Sequence, residues 1–230
     1  MDRARRGMSI AVNVALVMVI VALYAVTAQP FAGAEPTLGS AVYMGVGDEA
    51  VALQWAVTYR ARSMEAILEA LEEKSVRSTF FVSGEWARQN PEQLRRIVAG
   101  GHEIGTMGNL PFEDGDVSWV EDDLRVSVET IEDICGVRPA LYYSWERASA
   151  VSSRAAQRLN LTHVLCTLDL LCAKDDAGNI LSRAQNAAGG NIILMQPTVQ
   201  ACEAIDELLE RLISRGFDIV PTGELIGLYD

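Results

Sequence analysis

Histidine is nearly missing from this chain, which carries only His102 and His163 among 230 residues. Chemistry that needs several imidazoles, as metal ligands or as acid–base partners, has few positions to draw on. Aromatic residues are scarce as well, at 7% of the chain. Cysteine occurs four times, at Cys135, Cys166, Cys172 and Cys202, and never as a C-x-x-C pair. That spacing argues against a structural zinc site. One or two disulfides in an oxidising compartment, or buried thiols acting as small hydrophobes, both remain open. Positive charge is in deficit, with 19 Lys and Arg against 31 Asp and Glu and a net charge of −12. A surface this acidic argues against nucleic acid and against docking to an anionic surface. Internal repeats and low-complexity tracts are absent.

Half of the residues are apolar, enough for one domain of roughly 200 residues with a large core. Arg3, Arg5 and Arg6 precede an uncharged run from Ser9 to Ala28. About twenty apolar residues can cross a bilayer as a helix, and the arginines would stay on the cytoplasmic side. The expected layout is a basic cytoplasmic tail at 1–8, a transmembrane signal anchor at 9–28, a linker at 29–40 and one domain at 41–230 outside the cytoplasm. Ala32-Gly-Ala34 also offers an A-x-A cleavage site, so a secreted form cut near Ala34 is the alternative.

Strand and helix signals then alternate to the C-terminus. Ser78-Thr-Phe-Phe-Val-Ser-Gly84 and Gly101-His-Glu-Ile-Gly105 read as strands. A helix lies between them, entered at Asn90-Pro91 and left through Gly100-Gly101. Further strands are expected at Ala41–Tyr43, Ala50–Trp55, Pro139–Trp145, His163–Leu168, Asn191–Met195 and Phe217–Val220. Ser63, Ser149 and Thr198 are candidate helix caps, and Ser118-Trp-Val-Glu121 has the form of a capping box. Gly136 ends the helix that the box opens. The pattern predicts an α/β fold with about seven mostly parallel strands. An open doubly wound sheet and a barrel both satisfy it.

Several stretches resemble the NodB-type polysaccharide deacetylase family. The TFF-containing strand followed by GHEIG carries the likeness first. Gly136-Val-Arg-Pro139, Asn191-Ile-Ile-Leu-Met195, Thr198–Val220 and Glu224-Leu-Ile226 come after it in the family's order. The resemblance implies a distorted (β/α) barrel of seven or eight strands. It also implies metal-assisted hydrolysis of acetyl groups on a glycan. In that chemistry one Asp is the base, a second Asp and two His hold a divalent metal, usually zinc, and a last His is the acid.

The same resemblance locates these groups, and this chain lacks them. The base position falls on Ala56, the metal-binding Asp on Val57, the two metal-binding His on Met107 and Pro111, and the acid His on Gln196. Shifting the register does not help. No Asp or Glu occurs between Val51 and Arg62, and no His between Ile104 and Thr162. The expectation is a degenerate family member without the catalytic and metal-binding motifs, and without a cofactor. His102 and His163 read as structural.

What the sequence leaves for the cleft mouth is Trp55, Asn109, Tyr142, Tyr143, Trp145, Asp169 and Gln196. Aromatic faces beside amide groups suit sugar rings. Equally, apolar replacements could simply fill a dead pocket. The expected role is an envelope module binding a cell-wall glycan or an envelope protein, in a bacterial setting that the family implies. The alternative is a hydrolase of amide or ester bonds using Cys166, Cys172, Asp169, His102 or Glu103.

Overall fold

The structure is a computed structural model that describes residues 41–58, 63–111, 115–145 and 149–229. The expected tail, anchor and linker at 1–40 lie outside the described residues. Among the described residues, no helix is long and apolar enough to cross a membrane.

Strand β1 (Ala50–Val57) is the centre of the fold and pairs in parallel with three others. On one side run β2 (Thr79–Val82), β3 (Glu103–Thr106), β4 (Leu141–Tyr143) and β5 (Thr162–Val164), in that order. On the other lie β7 (Ile192–Met195) and then β6 (Leu168–Asp169), while β8 (Asp218–Val220) pairs with the start of β1. Between β5 and β7 the segment 42–44 forms two bridges, Val42 to Val164 and Met44 to Asn191. The result is a curled parallel half-barrel, with the strap at 42–44 reaching across its gap. This settles the choice against a flat, doubly wound sheet.

Among the described residues the helices are α1 (Met64–Glu73), α2 (Gly84–Gln89), α3 (Pro91–Ala99), α4 (Val117–Cys135), α5 (Ala150–Arg158), α6 (Ala177–Ala184), α7 (Val199–Ser214) and α8 (Thr222–Leu225). Alternation along β1 divides the interior in two. Val51, Leu53, Trp55 and Val57 pack outward under α1, α3 and α7, with Ile67, Leu71, Ile97 and Leu208. Ala56 turns inward to a separate cluster with Phe81, Met107, Leu141, Tyr143, Val164, Leu165 and Leu194. Each of these buried side chains is worth about 1.5–3 kcal/mol relative to exposure for the larger residues, so both faces of the sheet hold the fold together.

Several expected boundaries move, each for a local reason. The stretch His163–Leu168 is two strands, because β5 pairs with β4 while β6 has crossed to β7. Ser83 accepts from Trp86 N and opens the short α2, which the sequence pattern did not reveal. Asp116, not Ser118, caps α4, its carboxylate accepting from Trp119 N at 2.9 Å. Asn90 donates its side-chain amide to Trp86 O, so it closes α2 rather than capping α3. Ser149 and Thr198 cap as expected, and Gly136 takes the left-handed turn at φ 73°.

Candidate functional site

In a barrel of parallel strands, reactive groups gather at the C-terminal, or exit, ends. Here that end is packed with hydrocarbon. Ala56 is 0% exposed and Met107 2%, in one cluster with Phe81, Tyr143 and Leu165. Gly105 makes room for it: a Cβ there would lie 2.3 Å from Phe81 Cε1. Only the absence of a side chain lets the Phe81 ring lie inside the curl. Val57 belongs to the outer cluster, and Pro111 is half-buried. The inward-facing polar exception is Gln54, fully buried, whose Nε2 donates to Leu165 O at 3.3 Å while Oε1 has no partner. Its signal is visible as the sole polar residue in AVALQWAV, although it was not among the residues expected at the site.

Two of the residues assigned to the cleft mouth do not reach it. Trp55 is fully buried in the outer cluster and stacks on Phe80 with centroids 6.0 Å apart. Tyr142 packs with Leu124, Val128 and Ala155 and stacks on His163 at 5.0 Å. The odd-even alternation of a strand covered on both faces turns these rings toward the helices. Tyr143 turns the other way, into the inner cluster, and meets half-buried Trp145 edge-on at 6.2 Å. Trp145 sits at φ 56°, a left-handed turn directly after β4.

Asn109 and Gln196 have other partners. Asn109 Oδ1 accepts from Arg88 Nη2 at 2.8 Å. Its backbone N–H and that of Leu110 both donate to the Asp123 carboxylate, at 2.8 and 2.9 Å. This pins the loop after β3 to α4. Gln196 Oε1 accepts from Ala173 N at 3.2 Å, and Asp169 Oδ1 accepts from Leu171 N at 2.8 Å. Asp169 and Gln196 thus border one turn, 169–173, on the far side of the curl from Asn109.

The remaining nucleophile and acid–base candidates do not converge. All four cysteines are free. Burial pushes the Cys166 and Cys172 thiols up to about 11, with Asp169 adding to the shift at both. They are therefore thiols at neutral pH, and poor nucleophiles. Glu103, at the entry end of β3, is held by Thr79 Oγ1 at 2.6 Å, Gly223 N at 3.0 Å and Tyr229 OH at 2.5 Å. His163 lies on the outer face between Ser153 Oγ at 2.8 Å and Ser144 Oγ at 2.7 Å, beneath α5. Burial holds it near pKa 4, so it stays neutral. His102 sits before β3, at the entry end, accepting from Ser78 N through Nδ1.

A divalent metal needs imidazole, carboxylate or thiolate donors. Alanine, valine and proline at 56, 57 and 111 offer none, and the Met107 thioether is buried among apolar side chains. These residues do not fit the metal that the resemblance implies. Among the described residues, no group of three or more His, Cys, Asp or Glu is placed to hold one elsewhere.

Curled parallel topology with a strap across its gap is the distorted (β/α) barrel that the resemblance implies. The chain belongs to the polysaccharide deacetylase family, whose model matches residues 45–163. It is 28% identical over 195 residues to the uncharacterized protein YlxY of Bacillus subtilis (strain 168), covering 80% of this chain and 60% of that one. It is 26% identical over 164 residues to the peptidoglycan-N-acetylmuramic acid deacetylase PdaC of the same organism, covering 69% of this chain and 35% of PdaC. The chain thus spans less than two thirds of both relatives. Among solved structures, a CE4 family pseudoenzyme from Bacillus anthracis superposes with a TM-score of 0.80 at 22% identity, over 86% of this chain and 72% of that one. A mutant of that pseudoenzyme with restored enzymatic activity gives the same TM-score. At that identity the likeness concerns the fold.

Proposed function

We propose that this protein is a catalytically inactive polysaccharide deacetylase-like module of the cell envelope, held at the membrane by residues 9–28 and contacting cell-wall glycan. The observation that carries the reading is the exit-end cluster. The residues at the base position and at one metal-ligand position, Ala56 and Met107, are packed against each other's neighbours in hydrocarbon. Loss of one reactive group would leave room for a variant mechanism; replacement of several by apolar side chains argues against one. Likeness to a pseudoenzyme of the same fold supports it, and the names of PdaC and of the Listeria monocytogenes deacetylase PgdA, which is 25% identical over 166 residues, point to peptidoglycan as the glycan.

The test pairs two measurements on the full chain in detergent. Calorimetric titration with zinc after chelation is expected to show no saturable binding in the micromolar range. Release of acetate from peptidoglycan is expected to stay at the level of buffer, while the protein co-sediments with the insoluble polymer. One-to-one zinc binding with acetate release would replace this reading by an active enzyme. Absence of co-sedimentation would leave a protein partner as the envelope contact and remove glycan from the proposal.

A further inference from the structure

At the entry end of the barrel, away from the exit-end cluster, one side chain is built for a ligand. His102 is 9% exposed. Its Nδ1 accepts the Ser78 N–H at 3.3 Å, which fixes the neutral tautomer with the proton on Nε2. No acceptor for that proton is found among the described residues. The ring nevertheless borders open space, lining two adjoining cavities that also share Arg77. An acceptor arriving in either cavity would meet this N–H directly and displace solvent from it.

The larger cavity measures about 500 Å³, within the ~300–1,000 Å³ typical of small-molecule sites. Its walls have two characters. Leu68, Leu71 and Val76 are buried and give an apolar floor. Arg77 and Arg96 stand on the rim with half-exposed side chains, in a protein otherwise rich in acid. Each is paired with one carboxylate, Arg77 with Glu224 at 3.0 Å and Arg96 with Glu65. A guanidinium has five N–H donors, and one such contact leaves others to offer. Glu72 also lines the cavity, but it is solvent-exposed, and the lining holds two arginines to this one carboxylate.

We infer that this cavity is a binding site for a small carboxylate with an apolar body. The carboxylate accepts from His102 Nε2–H and from Arg77 and Arg96, while the body covers Leu68, Leu71 and Val76. A bare inorganic anion would satisfy the donors but leave the floor wet; a neutral apolar molecule would cover the floor but leave the donors unused. Burial keeps His102 neutral down to pH of about 4, so its tautomer, and with it the donor, persists across the physiological range.

The two histidines give the test its own control. In the full chain carrying isotope-labelled histidine, the imidazole Cε1–H resonances report His102 inside the cavity and His163 beneath α5. Benzoate is the probe, with acetate and benzyl alcohol as fragments that each lack one half. Benzoate is expected to shift the His102 resonance saturably in the millimolar range and to leave His163 in place. Either fragment is expected to bind at least about tenfold more weakly. The double variant Arg77→Gln/Arg96→Gln is expected to lose about tenfold in benzoate affinity, with an unmoved His163 resonance confirming that it folds. No shift at tens of millimolar benzoate would overturn the inference. So would equal binding of acetate or benzyl alcohol, or shifts of both histidines together.

Discussion

Replacing Ala56 by aspartate restores the type of residue that the family places at its base position, and the packing around that position predicts a large, pH-dependent loss of stability. Position 56 is 0% exposed, among Phe81, Met107, Tyr143 and Leu194, with no cation in the cluster. A buried carboxyl without a partner can rise by up to ~3–5 pKa units, and each unit corresponds to about 1.36 kcal/mol. Relaxation and water entry reduce the cost, so a loss of about 3–5 kcal/mol at neutral pH is expected. Against a net stability of about 5–15 kcal/mol, the variant stays folded but becomes much easier to unfold. The pH dependence has a definite sign. The folded pKa is raised, so between the unfolded value of about 3.9 and the folded one the native state holds the extra proton. The penalty therefore grows as pH rises through that window and disappears below it. Urea unfolding at pH 4 and pH 8 measures it, with Ala56→Asn as a control for size. Differences are taken from the unmodified protein at each pH, because its own stability also changes there. A loss below ~1 kcal/mol that is the same at both pH values would refute the reasoning, because position 56 would then be wet and the exit end open.

The same geometry gives three further outcomes. Gly105→Ala drives a Cβ to within 2.3 Å of the Phe81 ring and should cost about 1–3 kcal/mol by overpacking; thermal unfolding of the variant, partly rescued by Phe81→Leu, checks it. His163→Ala leaves the Ser153 and Ser144 hydroxyls facing an apolar gap and should cost about 2–5 kcal/mol. In the unmodified chain His163 and His102 are both depressed to about 4 by burial, so the stability they contribute is fully present above about pH 6.5 and is lost as pH falls toward 4; His163→Ala should reduce that slope in urea titrations and leave the part that His102 contributes. Finally, Val57 faces the outer cluster while Ala56 and Met107 face the inner one, so the variant Ala56→Asp/Val57→Asp/Met107→His/Pro111→His is expected to show no saturable zinc binding by calorimetry in the micromolar range; one-to-one binding would refute this reading of the strand.

Much of the fold could be read from the chain because its strands and helices carry different periods. The TFF strand, the GHEIG strand and the glycine exits at Gly101 and Gly136 all fall where the pattern puts them. The direction in which a side chain points proved harder. In AVALQWAV both faces are apolar, so no polar–apolar phase marks which way Trp55 turns. Tyr142 and Tyr143 are chemically alike neighbours, and the strand sends one to α4 and α5 and the other to the inner cluster. The break within His163–Leu168 was equally hidden, since it arises from the change of pairing partner between β5 and β6, a tertiary fact.

These orientations change what the protein can offer a sugar. Among the described residues, Trp55 and Tyr142 turn outward, Asn109 is tied to Arg88 and Gln196 to Ala173, so these four side chains do not form a polar cradle inside the curl. Methionine at 107 fills the space between Phe81 and Tyr143 as an unbranched, adaptable side chain. Apolar packing of this kind gives cohesion at Ala56 and Met107, positions at which the resemblance places reactive groups. Any glycan contact must then be made at the rim, where Trp145 stands half-buried on its left-handed turn beside Tyr143. Contact through one aromatic face is weak, so binding to polymer should be shallow and depend on many repeats rather than on one deep site. Trp145→Ala should lower co-sedimentation with peptidoglycan by about tenfold, equivalent to about 1.4 kcal/mol, with an unchanged far-ultraviolet circular dichroism spectrum showing that the variant folds. If the substitution leaves co-sedimentation intact, the rim at Trp145 is not where the polymer is held.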